Sequence, residues 1–307
     1  MAKTISFYNH FAKLKNLKKG MLMSGRTGVL YVVATPIGNL EDITLRALRV
    51  LGEVDLILAE DTRISARLLR RFEITTPMEA FHEHNERTMA PKVLARLEGG
   101  ANIALISDAG TPLLSDPGFY LMRLLRDQDK KVVPVPGPSA LVCALSAAGL
   151  PTDRFVFEGF LPSRQGARRA RLRILAAETG TLVMYEAPHR ILATMEDMVE
   201  IFGDERHGVI ARELTKTFET IRSAPLPTLE NWLREDQNNR RGEFVLMIGG
   251  KPKADSAENT EMAEEDTRTL RLLLEELPLK KAVALSARLT GRKKNDLYRL
   301  ALTMGES

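Results

Sequence analysis

The stretch Ile103-Ala104-Leu105-Ile106-Ser107-Asp108-Ala109-Gly110-Thr111-Pro112 decides the fold reading of this chain. Its first four residues are a continuous apolar run, the pattern of a strand buried on both faces of a parallel sheet. The next six are polar and punctuated by glycine and proline. They supply a carboxylate, hydroxyls and a glycine that lets a backbone approach closely. In open α/β sheets, ligands sit beyond the carboxyl ends of the strands, where such a loop would stand. The same junction recurs twice. Tyr31-Val32-Val33-Ala34 leads into Thr35-Pro36-Ile37-Gly38-Asn39, and Val132-Val133-Pro134-Val135 leads into Pro136-Gly137-Pro138-Ser139-Ala140. Three junctions of one style point to a single ligand site built by several loops.

Strand-like runs at 29–34, 55–59, 102–106 and 131–135 alternate with helical periods at 43–51, 65–72, 88–97, 120–127 and 139–147. Alternation of this kind predicts a parallel α/β sheet. Gly149-Leu150-Pro151-Thr152-Asp153 is a turn-rich break. Beyond it, strands are expected at 155–160, 181–185, 208–212 and 243–248, with helices at 167–177, 191–202 and 229–235. The expected organisation is a basic flexible leader at 1–27, an α/β domain at 28–150 and a second at 151–250. An acidic linker at 251–266 and a helical, helix-turn-helix-like tail at 267–307 complete it.

The 307 residues, 44% of them hydrophobic, are enough to bury a sizeable core. One cysteine, Cys143, excludes an intrachain disulfide framework and a cysteine-based zinc site. The five histidines show no metal-ligand spacing, so no metal is expected. No apolar run approaches the roughly 20 residues of a membrane span. A cytoplasmic protein without membrane contact is the expectation. The net charge of +4 is modest but unevenly spread. Residues 163–173 (SRQGARRARLR) hold five arginines and no acid. No glycines stand at i and i+2, which removes both the dinucleotide fingerprint and the glycine loop of ordinary Rossmann methyltransferases.

Seven short motifs occur in order: Thr35–Thr44 (TPIGNLEDIT), Ala59–Arg63 (AEDTR), His84–Glu86 (HNE), Ser107–Pro112 (SDAGTP), Pro136–Ala140 (PGPSA), Glu158–Pro162 (EGFLP) and Arg212–Thr217 (RELTKT). Together they resemble the ribosomal RNA small subunit methyltransferase I family of the tetrapyrrole methylase (class III methyltransferase) superfamily. The resemblance spans about Val29 to Gly250, and the tail is similar to that family's C-terminal region. It implies two α/β domains with S-adenosylmethionine in the cleft between them, and a homodimer. It also implies methylation of the ribose 2′-OH of a cytidine in the decoding region of 16S rRNA, within the small ribosomal subunit.

On that resemblance, Pro36, Asp108, Ala109, Gly110, Thr111, Pro136, Ser139, Ala140, Tyr185 and Leu214 are the expected cofactor contacts. A ribose hydroxyl is a weak nucleophile, so a general base is sought among Lys216, Glu86, His84 and Asp61. Lys216 requires a pKa lowered by desolvation to serve; holding a phosphate is the equal alternative. Arg164, Arg168 and Arg171 share one side of a helix with Arg169 beside them, and with Arg63 they are the expected RNA phosphate contacts. Two other readings stay open here: the same fold methylating a tetrapyrrole carbon, and a non-catalytic RNA-binding or ribosome-assembly factor.

Overall fold

The computed structural model of the protein describes residues 27–251 and 264–304. All of the expected leader but Thr27, and residues 252–263 of the expected linker, lie outside the described residues. The chain divides into two compact units, one ending at Lys251 and one beginning at Pro252.

In the first unit, β1 (Leu30–Val33), α1 (Leu45–Glu53), β2 (Leu56–Ala59), α2 (Thr62–Arg71) and β3 (Met78–Ala80) are followed by α3 (Glu86–Glu98), β4 (Ile103–Ile106), α4 (Phe119–Asp127) and β5 (Val132–Val135). The strands form a parallel sheet of order β3-β2-β4-β1-β5. Strands β2 and β4 are buried along their whole length, as their unbroken apolar runs require. Alternate residues feed two cores. Val33, Ile57, Ala104 and Ile106 pack against α1 and α2 on one face. Leu30, Val32, Leu58 and Leu105 pack against α3 and α4 on the other. The chain therefore leaves neighbouring strands β1 and β4 towards opposite faces. That arrangement opens a crevice at their carboxyl ends.

The chain continues through α5 (Ala140–Ala147), β6 (Phe155–Phe160), α6 (Gln165–Leu175), β7 (Thr181–Glu186), α7 (Ile191–Phe202), β8 (His207–Arg212), β9 (Thr220–Pro225), α8 (Leu226–Glu235) and β10 (Phe244–Ile248). The second sheet has the order β6-β7-β10-β8-β9. Only β6 and β7 run parallel; the other neighbours are antiparallel. One face, with Leu182, Met184, Ile210 and Leu246, packs against α6, α7 and α8. The opposite face, with Val183, Val209, Ala211, Val245 and Met247, packs on Leu141, Ala144 and Leu145 of α5 and on Ile37 from the β1 loop. Helix α5 is thus the shared core that joins the two sheets within one unit.

Strands β3 and β9 escape the sequence pattern. Both are edge strands without a buried apolar row, and their residues are partly or wholly exposed. Helix α6 begins at Gln165, two residues earlier than its period indicates, and ends at Leu175.

The second unit holds α9 (Glu264–Glu276), α10 (Leu279–Thr290) and α11 (Lys294–Met304), packed around Leu270, Val283, Leu297 and Ala301. Pro278 precedes α10, and Gly291 ends it in the left-handed conformation at φ 73°. Arg292 in the following turn reaches back to Asp266 at 2.6 Å.

Candidate functional site

The loops after β1, β4 and β5 are knitted together at the crevice. Thr35 and Gly110 exchange backbone hydrogen bonds of 2.8 and 3.0 Å, which bridge the loops of the two diverging strands. The Thr35 hydroxyl also donates to the Ser107 carbonyl at 3.2 Å, and the Thr111 hydroxyl to the Pro138 carbonyl at 3.0 Å. Gly110 takes φ +80°, and a Cβ there would lie 3.3 Å from the Ile37 side chain. A Cβ on Gly137 would meet Ala34 Cβ at 2.9 Å, so the backbone of these glycines packs directly on neighbouring side chains.

Four carboxylates crowd the ends of β2 and β4. Asp108 Oδ1 accepts from the Asp61 amide at 2.9 Å, while Asp61 caps α2 and is clasped by exposed Arg63. Hydrogen bonds from the Arg63 side chain and backbone hold Asp61 well below the usual carboxylate range. Burial raises Glu60, with the Asp108 charge adding to it. Burial likewise raises Asp108, with the Asp61 charge adding. Asp116 is pushed up to about 6, chiefly by burial and then by the charges of Glu60 and Asp108, against a hydrogen bond with Ser107. The site is therefore negative, and its buried carboxylates Glu60, Asp108 and Asp116 hold protons more tightly than free ones.

The second sheet closes this crevice with the carboxyl ends of β6, β7 and β8. Tyr185 feels the Asp116 charge from across the gap, and its ring meets Phe157 and Phe160 edge-on at 5.0 and 5.7 Å. Burial raises the Tyr185 hydroxyl, partly opposed by the backbone of Leu141. At Gly159, a register shift in β6, a Cβ would fall 2.9 Å from Ser115 Oγ of the β4 loop. The segment after β8 meets the β1 loop, since a Cβ on Gly38 would lie 2.5 Å from Lys216 Cγ. Both facing segments hold non-glycine residues at positive φ: Leu113 and Ser115 at 77° and 73°, Glu213 and Thr215 at 52° and 66°. Such conformations cost on the order of 1–3 kcal/mol each and persist where the surroundings enforce them.

The expected cofactor residues stand on these loops and strand ends. Pro36, Asp108, Ala109, Gly110 and Thr111 stand on the bridged loops. Pro136, Ser139 and Ala140 stand on the β5 loop, and Tyr185 faces them. Leu214 is 6% exposed, in the core around α5 against which Ala140 and Tyr185 also pack. Asp116 was not singled out by the sequence pattern. The signal was present, because Ser115-Asp116-Pro117-Gly118 repeats the Ser-Asp turn of Ser107-Asp108 eight residues later.

The expected bases fare differently. Burial pushes Lys216 down, but hydrogen bonds to Glu213 and Glu243 at 2.8 and 2.9 Å outweigh it and hold the amine above its ordinary range. The desolvated, neutral Lys216 that base chemistry requires is not what the structure presents; the residue is a clasped cation. Glu86 accepts from the Leu121 amide at 3.1 Å and is occupied in the first turn of α4. His84 is exposed, edge-on to His82 at 5.9 Å.

The arginine face of α6 also needs correction. Arg168 is buried at 4% exposure, with its Nε donating to Asp197 Oδ2 at 2.7 Å. Arg169 pairs with Asp197 and Glu200, and Arg171 forks onto Glu158 at 2.9 and 2.6 Å. The acids missing from the local sequence arrive from α7 and β6. Arg164 remains exposed, as does the guanidinium of Arg63.

S-adenosylmethionine fits what the crevice offers. Asp116 Oδ2, Ser139 Oγ and Thr215 Oγ1 are buried polar atoms without hydrogen-bond partners, and a ligand with hydroxyl, amine and carboxylate groups can satisfy such atoms. The carboxylates suit its cationic ammonium and sulfonium groups. The Tyr185 and Phe160 rings suit a base.

A family described as Tetrapyrrole (Corrin/Porphyrin) Methylases matches residues 29–230, and an RsmI C-terminal HTH domain matches residues 260–305. The Ribosomal RNA small subunit methyltransferase I of Pseudomonas aeruginosa is 57% identical over 275 residues, covering 90% of this chain and 97% of its own. The protein of that name from Haemophilus influenzae is 52% identical over 280 residues, covering 91% and 98%. The solved methyltransferase CobJ is similar at a TM-score of 0.55 and 19% identity, over 73% of this chain and 94% of its own. At that identity the likeness concerns the fold alone.

Proposed function

The chain belongs to the ribosomal RNA small subunit methyltransferase I family, within the tetrapyrrole methylases, and from this premise we propose that it methylates rRNA with S-adenosylmethionine as donor. The acceptor is the ribose 2′-OH of a cytidine in the decoding region of 16S rRNA, presented on the small ribosomal subunit in the cytoplasm. The observation that carries this reading is the near full-length relationship to the Pseudomonas protein. The crevice supplies chemistry consistent with it.

When bound, the donor supplies an electrophilic methyl group: the C–S bond breaks as the new O–C bond forms, in an in-line displacement where positioning contributes most of the acceleration. Asp108 and the backbone of Ala109, Gly110 and Thr111 hold its polar end. Pro136, Ser139 and Ala140 leave room for its bulk, and Tyr185 packs on the adenine. Asp116, with an unpartnered oxygen and a pKa near 6, takes the hydroxyl proton. Lys216, kept charged between Glu213 and Glu243, steadies a backbone phosphate of the target nucleotide instead of acting as base. The enzyme works as a homodimer, a state that sedimentation of the purified protein checks.

Mapping ribose methylation on small-subunit rRNA with and without the protein tests the reading. One 2′-O-methylcytidine that depends on the protein is expected; an unchanged map overturns it. A tetrapyrrole acceptor is tested in the same assay, and its methylation in place of rRNA would reassign the substrate.

A further inference from the structure

The carboxyl end of the second sheet carries a second feature, beside the first turns of α7. There His189, Leu192, Glu196, Gln237, Arg240 and Arg241 contribute to an open pocket of about 450 Å3. Its charge is uncompensated. Among the described residues, Arg240 and Arg241 form no ion pair, and Arg240 Nε is buried without a partner. Glu196, the acid in the lining, is taken by Arg234 at 2.6 Å. Asp236, at the head of the same turn, is spent on the Asn238 amide at 2.8 Å.

The platform is fixed from behind. Arg212, at the end of β8, donates to the carbonyls of Asn238 and Arg241 at 3.1 and 3.2 Å, to that of Phe218 at 3.3 Å and to the Thr220 hydroxyl at 3.2 Å. Its charge acts on Glu213, which Lys216 already holds. The Asn239 side chain ties the turn to the Trp232 carbonyl at 2.8 Å. Two guanidinium forks, an imidazole and an amide therefore surround a preformed space whose one lining carboxylate, Glu196, is paired with Arg234. Guanidinium forks match phosphate oxygens bidentately. The α6 arginines, by contrast, have carboxylates in place.

Position gives the anion its context. His189 follows Tyr185 by four residues, at most about 14 Å of extended chain. A polymer whose reacting nucleotide enters the crevice that Tyr185 borders reaches the pocket within a few nucleotides. We infer that the His189–Arg240–Arg241 pocket binds a backbone phosphate of the RNA strand whose target nucleotide occupies the crevice. The inference rests on the rRNA methyltransferase reading above, and it moves the principal phosphate contact of the second half from α6 to this turn.

The test compares the full chain with Arg240→Glu/Arg241→Glu and with the milder Arg240→Gln/Arg241→Gln. Three quantities are read: donor affinity by calorimetry, and affinity for naked 16S rRNA and for small subunits at stepped salt concentrations. Donor affinity and melting temperature are expected to stay at wild-type values. RNA affinity should fall 10-fold or more at low salt. The log–log salt slope should become shallower by about 1–2, as expected for one or two lost phosphate contacts. Wild-type protein that binds and methylates RNA, beside a glutamate variant equal to it at every salt concentration, overturns the pocket alone. Loss of subunit binding with naked-RNA binding intact assigns the pocket to a ribosomal protein and also overturns it. Wild-type protein that binds no rRNA overturns the functional reading and the pocket together.

Discussion

Replacing Asp197 with alanine separates a structural arginine from an RNA-binding one. Asp197 is 2% exposed, accepts from Arg168 Nε at 2.7 Å and from the Gln165 amide at 3.2 Å, and lies in an ion pair with Arg169 at 2.9 Å. Without it, the buried Arg168 guanidinium keeps only long contacts of 3.4 Å to the carbonyls of Ser163 and Ala193. Leaving one member of a buried pair uncompensated costs about 3–5 kcal/mol. For a unit of this length, each kcal/mol lowers the melting temperature by roughly 2–4 °C. Asp197→Ala should therefore melt about 6–20 °C below wild type by circular dichroism. Arg168→Met/Asp197→Leu should recover most of that loss, because an apolar pair of similar volume leaves no charge stranded. If Arg168 were instead a phosphate contact, Asp197→Ala would leave stability unchanged and tighten RNA binding. A melting temperature within about 2 °C of wild type would refute the structural assignment.

Further predictions concern the crevice. Asp116, raised to about 6 from the ordinary 3.8 of a free aspartate, binds its proton more tightly folded than unfolded. Stability should fall as pH rises from about 4 to 6 and then level off; after a discount for partial solvent exposure the span is about 1–2 kcal/mol. Denaturant titrations across that range, repeated on Asp116→Asn, check it, and a step that survives the substitution assigns it elsewhere. As proton acceptor Asp116 also sets an acid limb in kcat/KM near pH 6, which Asp116→Asn should remove along with most turnover. Gly38→Ala puts a Cβ 2.5 Å from Lys216 Cγ and 3.0 Å from Thr215 Oγ1. The lysine must leave its acidic clasp, raising KM for RNA several-fold at nearly constant donor affinity; an unchanged KM would remove Lys216 from the RNA path. Tyr185→Ala should weaken donor binding about 10-fold or more in calorimetry, on the scale of about 1–3 kcal/mol for stacking on a base, and Tyr185→Phe should not.

The buried half of this architecture was legible because its strands announce themselves. Runs such as Ile103–Ile106 and Leu56–Ala59 are apolar without interruption, and parallel strands covered on both faces have no alternative composition. The loops at their ends were legible for a related reason: a backbone that packs at the distances seen for Gly110 and Gly137 admits few residue types. Edge strands carry no such constraint. Thr220–Pro225 pairs through its backbone while its side chains face largely outward, so nothing in its composition marks it. The arginine block of α6 misled for a different cause. Helical spacing gives the side of the helix on which Arg168 lies, but its partner Asp197 stands 29 residues away on α7. The charge state of Lys216 was hidden in the same way, since Glu243 reaches it from the start of β10.

The core shared between α5 and the second sheet governs how this chain can be cut. A fragment beginning at Pro151, after the glycine-proline turn, would carry the strands of the second sheet and leave α5 behind. Val183, Val209, Ala211, Val245 and Met247 would then face water, at roughly 1.5–3 kcal/mol for each larger side chain. A fragment beginning at Ser139 takes Leu141, Ala144 and Leu145 with it and keeps that stripe covered. Complementation between separately expressed pieces should therefore succeed for a break ahead of α5 and fail, through aggregation of the distal piece, for a break behind it.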